Sequence, residues 1–178
     1  MLEENTTVTI YANPDQIQVG VRALEKVGFD LKRISVIGKA YRDSKELIAY
    51  YRQGDKLACC GERSEFWNGL CRMIREWVLF SCPGTGSLLV VGSIAVWVVA
   101  VLNNSAIFVG MSPLGATLYS MGLARDRVQD FEEALRKGSY LLIVHGPAEE
   151  VIQAKRILKS ANTMLSKECK HKYKEGKS

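Results

Sequence analysis

WVLFSCPGTGSLLVVGSIAVWVVAVLNNSAIFVGMSPLGATLYSMGLA, from Trp77 to Ala124, contains no charged residue, in a chain of 178 residues of which 24% are charged. A run of that length cannot be an ordinary solvated surface. It divides at Asn103-Asn104 into Ser87–Leu102 and Ser105–Leu123, two apolar segments near membrane-spanning length, and so predicts a helical hairpin. A helix that is apolar all round must be buried, and a chain of this size has little other protein to bury two of them. Lipid or neighbouring subunits are therefore the expected cover. Pro83-Gly84-Thr85-Gly86 breaks the chain before the first arm and Pro113 interrupts the second. The first arm would be only about 24 Å long as a helix, which favours a tilted or re-entrant hairpin over two full spans.

Small residues recur four apart at Ala106 and Gly110, and again at Ser112, Ala116 and Ser120, with Gly92 and Ala95 across the turn. Such spacing lets helix backbones approach closely. Together with Trp77, Gly86, Trp97 and Gly115 these residues form the expected membrane or oligomer interface. Arg72 and Arg75 flank one side, Arg125 and Arg127 the other, so the positive-inside rule places both flanks and both termini in the cytoplasm and the hairpin in the inner membrane. The alternative location is the cytoplasm, with no membrane contact.

Outward from this run the sequence reads as two halves of one small head. Thr7–Ala12 alternates Val8, Ile10 and Ala12 as a strand; Asn13-Pro14-Asp15 then caps a helix with a stripe at Ile17, Val21, Leu24 and Val27 that stops at Gly28. Leu31–Ile37 is a second strand, completing β-α-β, and Asp43-Ser44-Lys45-Glu46 has the form of a capping box, starting a short helix expected to run through Tyr50-Tyr51 and stop near Gly54. An amphipathic helix is expected over Arg63–Phe80, with Phe66, Leu70, Met73, Ile74 and Trp77 on one face, lying either at a membrane interface or on the head's sheet. After the run, Val128, Phe131, Ala134 and Leu135 mark a helix, Tyr140–Val144 a central strand, and Val151, Ala154 and Leu158 a last helix. The fold class is α+β, a ferredoxin-like head of three or more strands split by the apolar hairpin. The expected divisions are 1–62, 63–82, 83–124, 125–160 and a basic, mobile tail at 161–178.

The net charge is +5, and the excess lies at the C-terminus, where Lys167, Lys170, Lys172, Lys174 and Lys177 face only Glu168 and Glu175. A tail of this kind is either solubilising or able to touch anionic lipid or nucleic acid. No RNP-like strand, zinc-finger spacing or helix-turn-helix accompanies it, so nucleic acid is not an expected partner. The acidic Met1-Leu2-Glu3-Glu4-Asn5 start lacks the form of a secretory signal, and five cysteines without a CxxC pair fit a reducing compartment.

Cys60, Cys71 and Cys82 lie eleven apart, a spacing that would align them on a continuous helix but about 16 Å apart along it, too far to share a metal. Buried small apolar residues are the plainer reading. Neither Cys59-Cys60 nor Cys169 with His171 completes a site. Lys39 and His145 each follow a strand beside a glycine, and would form an anion site if both reached one sheet edge; on antiparallel strands they fall at opposite ends. No phosphate-binding loop, H-E-x-x-H, nucleophile elbow or dinucleotide fingerprint is present, so neither an enzyme nor a cofactor or metal site is expected.

ISVIGK at Ile34–Lys39, PGTGSLLVVG at Pro83–Gly92, LGATLYSMGL at Leu114–Leu123 and FEEALRKGSYLLIVHG at Phe131–Gly146 resemble bacterial proteins related to general stress protein 17M. The resemblance covers most of Thr7–Ser160. It implies a predicted membrane protein of unknown function, with a possible stress role and no catalytic residues to carry over. The leading expectation is thus a membrane-associated, self-associating protein without catalytic activity. A homo-oligomer whose hairpins share a buried core is the first alternative and a small channel or transport accessory the second.

Overall fold

The computed structural model describes the backbone of residues 5–40, 49–52, 56–59, 64–74, 76–104 and 110–175, and side-chain surroundings for 5–40, 64–74, 76–104 and 110–162. β1 (Thr6–Tyr11) runs into α1 (Pro14–Lys26), where the Asn13 side chain accepts the Gln16 N–H at 3.2 Å and Pro14 occupies the first turn. Ile17, Val21 and Leu24 face the core as the stripe predicts, whereas Val27, its last member, is exposed at the C-cap. A 3-10 turn (Leu31–Arg33) precedes β2 (Ile34–Lys39), so the second strand begins three residues later than expected.

β3 (Ala49–Arg52) and β4 (Lys56–Cys59) pair as a separate two-stranded sheet, so Tyr50-Tyr51 lie in a strand and not in the expected short helix, whose capping box at 43–46 is outside the described residues. The remaining elements are α2 (Ser64–Met73), β5 (Trp77–Cys82), β6 (Gly86–Gly92), α3 (Ile94–Asn103), α4 (Pro113–Ser120), α5 (Arg125–Arg136), β7 (Tyr140–His145) and α6 (Ala148–Glu175).

The main sheet has five strands in the order β1-β7-β2-β6-β5, every adjacent pair antiparallel. β1 and β2 therefore run parallel with β7 between them, and β6 and β7 run parallel with β2 between them. Two split β-α-β units interlock. Leu142, Val144, Val36 and Leu89 bury one face under α1, α2 and α6; Ile37, Leu141, Ile143, Leu88 and Val90 bury the other under α3, α4 and α5. β2, β6 and β7 are covered on both faces, which explains their unbroken apolar sequence.

The α+β class holds, whereas the finer expectations need correction. A ferredoxin-like head carries its helices on one face, and this sheet carries them on both. The apolar run is not a helical hairpin inserted into a head: its first part is the β5–β6 hairpin at one side of the sheet, and its second part supplies two covering helices. Cys82-Pro83-Gly84-Thr85 is the turn between the strands, with Thr85 N–H bonded to the Cys82 carbonyl at 3.1 Å and Gly84 at φ +80, the geometry of a type II turn.

No helix among the described residues is long and apolar enough to cross a membrane. α3 and α4 would reach only about 15 and 12 Å, against a hydrocarbon core of roughly 30 Å. The membrane-spanning reading is overturned on that ground. β6 lacks charge because a strand in the middle of a three-layer sandwich has two apolar faces, and the helices above it present an apolar inner one.

Two further boundaries and the facing of β1 also differ from expectation. The expected helix over Arg63–Phe80 ends at Met73, and Trp77–Phe80 belong to β5. On β1 the residue that enters the core is Tyr11, 2% exposed, while Ile10 is 45% exposed. α6 continues as helix to Glu175, through most of the lysine-rich segment.

Candidate interaction surface

α3 leaves the sheet at a sharp corner. Gly92 closes β6 at φ +131, and a Cβ there would lie 2.5 Å from Ser35 Cα and close against Ile34 O and Ser35 Oγ. Ser35, buried in β2, turns its hydroxyl to accept the Ile94 N–H at 3.2 Å. That bond satisfies one of the orphan donors of the first turn, which Ser93 does not cap with its own side chain.

The corner sets the helix phase. Ile94, Ala95 and Val98 point into the core, at most 3% exposed. The opposite side is then forced outward, leaving Val96 at 59%, Trp97 at 41% and Val99 at 42% exposure, while Leu102, four residues on from buried Val98 at the end of the helix, is 38% exposed. Ala100, Asn103 and Asn104 are exposed as well. Tyr119 of the neighbouring α4 is 45% exposed, with the Arg125 guanidinium 5.7 Å from its ring centroid. The outer surface of α3 therefore consists of aliphatic, aromatic and amide groups with no charge.

At the start of this surface the Trp97 indole meets the His145 imidazole edge to face, centroids 5.7 Å apart. The Thr6 hydroxyl donates to the Met121 carbonyl at 3.3 Å and lies 2.6 Å from His145 Nδ1, so the ring nitrogen is placed to donate to it. Burial pushes the imidazole below its ordinary range, opposed by a hydrogen bond to the Asn5 backbone. Lys39 lies at the other end of the sheet, where its ammonium donates to the Arg136 carbonyl at the end of α5 at 2.7 Å. The antiparallel register of β2 and β7 separates Lys39 from His145, so they do not converge on an anion.

The remaining expected interface residues serve the sheet and its covering helices. Trp77 begins β5 and packs on the α2 side; Gly86 begins β6 at φ +100; Ala95 and Ala116 are buried. Ser112 caps α4 through the Gly115 N–H at 2.9 Å and also bonds the Glu132 carboxylate. Gly110, Ser112 and Gly115, with Arg125, Gln129 and Glu132, line a shallow pocket of about 100 Å³. Ligand pockets are usually at least about 300 Å³. Ser120 returns its hydroxyl to the Ala116 and Thr117 carbonyls. Ala106 lies outside the described residues. The four-residue spacing of small side chains thus does not make one surface, because α4 turns Ala116 inward and Ser120 outward.

Nor do the cysteines align. Cys71 is on α2 and Cys82 on β5, and Cys60 lies outside the described residues. No group of three His, Cys, Asp or Glu side chains that could hold a metal occurs among the described residues.

Val96, Val99, Leu102 and Tyr119 escape a reading of the sequence. Both sides of α3 are apolar, so its periodicity does not say which side faces out. Knowing where β6 ends would have set the phase. Comparison with protein-family models, with curated proteins and with solved structures finds no match, so the resemblance to general stress protein 17M-like proteins rests on the quoted motifs alone.

Proposed function

We propose that the protein is a self-associating domain whose uncharged α3 surface is buried against another copy of the chain. One observation carries this reading: Val96, Trp97 and Val99 are large apolar side chains exposed together on one helix that bears no charge, with Leu102 exposed at its end. Isolated apolar side chains are ordinary on a surface, but a contiguous group of them marks a contact. Among the described residues the other large exposed apolar side chains besides Tyr119 are Ile10 on β1, Val19 and Val27 on and just after α1, Met73 at the end of α2 and Ile152 on α6. This keeps the oligomeric alternative and replaces its packed hairpins with one outward helix face.

Sedimentation velocity of the full chain over a concentration series tests the proposal. Mass should rise above that of the monomer with concentration, and Val96→Glu should abolish the rise while leaving the circular dichroism spectrum unchanged. A wild-type chain that stays monomeric throughout would refute it.

A further inference from the structure

We infer that the partner surface on the second copy is the same helix, so that two α3 helices pair antiparallel about a twofold axis passing near Val99. The inference rests on the proposed role of α3 as a contact and adds the identity of what it contacts.

Three observations lead there. First, the exposed stripe is Val96, Val99, Ala100 and Asn103, spaced i, i+3, i+4 and i+7, the spacing that lets one helix lie along another; Trp97 lies to one side of it. Second, charge selects the complement. The chain carries +5 net, and α1, α5 and α6 present charged residues outward, so docking α3 on any of them would strip water from charges without pairing them. Among the described helices only α3 and its neighbour α4 bear no charge, so the uncharged face that matches α3 in character is α3 itself with Tyr119 of α4 beside it. A self-complementary patch of this kind closes as an isologous dimer, and antiparallel helices oppose their dipoles favourably.

Third, the area sets the strength. The exposed portions of Val96, Trp97, Val99 and Tyr119 amount to on the order of 350 Å² per copy, less than half of what each partner contributes to a standard interface. The dimer is accordingly weak and reversible, and forms at micromolar concentrations or above.

A charge-swap experiment separates this inference from the reading beneath it. Val99→Glu and Val99→Lys are prepared in the full chain and sedimented alone and as an equimolar mixture, from about 1 to 500 µM. Because Val99 is exposed, neither substitution disturbs the core; Ala100→Glu and Ala100→Lys serve as the second pair if urea midpoints reveal a folding defect. Each variant alone should dimerise at least about 100-fold more weakly than wild type, since like charges then meet across the axis, and the mixture should recover to within about 10-fold of wild type. Single variants that are monomeric and stay monomeric when mixed would overturn the α3–α3 pairing while leaving α3 as a contact for a different surface. Variants that dimerise as wild type does would overturn α3 as a contact altogether. A wild-type chain that is monomeric throughout yet floats with neutral phosphatidylcholine vesicles would overturn the second copy in favour of lipid.

Discussion

Replacing Gly92 by alanine tests the corner on which the position of α3 depends. Gly92 sits at φ +131, beyond the left-handed helical well that Asn or Asp tolerate, a region in which an L side chain costs about 1–3 kcal/mol. The added methyl would also meet the β2 backbone, at Ile34 O and at Ser35 Cα 2.5 Å away, as well as Ser35 Oγ. Backbone cannot rotate aside as a side-chain tip can, so a further ~1–3 kcal/mol of overpacking follows. The expected loss is about 4 kcal/mol, a large part of the roughly 5–15 kcal/mol that a domain of this kind possesses. Gly84→Ala is the matched control: φ is +80, and a Cβ would meet nothing within 4 Å, so only the left-handed cost of about 1 kcal/mol applies. Urea unfolding followed by circular dichroism should show a midpoint lowered by about 2 M for Gly92→Ala and about 0.5 M for Gly84→Ala, taking a slope near 2 kcal/mol/M. Equal, small shifts in the two variants would refute the corner and restore a reading in which Gly92 merely lets two helices approach.

Leu118, wholly buried in α4, should cost about 2–5 kcal/mol as Leu118→Ala in the same urea assay, whereas a side chain that faced lipid or solvent would cost far less. Ser112→Ala removes the cap on the Gly115 N–H and the bond to Glu132, and should lower stability by about 1–2 kcal/mol. His145 is held below its ordinary value of 6.5 by burial, so the unfolded chain binds its proton first. Its contribution is complete above about pH 6.5, falls as pH drops from there towards the lowered folded value, and is constant below it. The urea midpoint of the wild type should therefore decline relative to that of His145→Asn between pH 7 and pH 5, and parallel profiles would refute the assignment.

Much of the fold is legible in the residues themselves. Asn13-Pro14 with the Ile17, Val21 and Leu24 stripe specifies α1; Val128, Phe131 and Leu135 specify α5; Tyr140–Val144 declares itself a strand covered on both faces. These segments carry a period, or caps and stops that agree with it. Trp77–Ala124 carries neither polar alternation nor a charged face, and a run of that kind is compatible with a buried strand, a buried helix or a membrane segment. Length separates those possibilities, and length depends on where the chain turns. Pro83-Gly84 is equally a break before a helix and the turn of a hairpin; only the pairing of β5 with β6, and of β6 with β2, decides for the hairpin.

What the sequence determined by itself is therefore the α+β class, the β-α-β start and the helix-strand-helix end, because local caps and apolar periods do not depend on distant residues. What the tertiary structure decided is the use of the uncharged run and the side of α3 that faces out. Strand order and helix phase arise from contacts between residues far apart, such as Ser35 with Ile94 and Gly92 with Ile34, and no local pattern encodes them. The candidate surface belongs wholly to that second category: the sequence supplies a helix apolar on every side, and the corner at Gly92 selects the side left exposed.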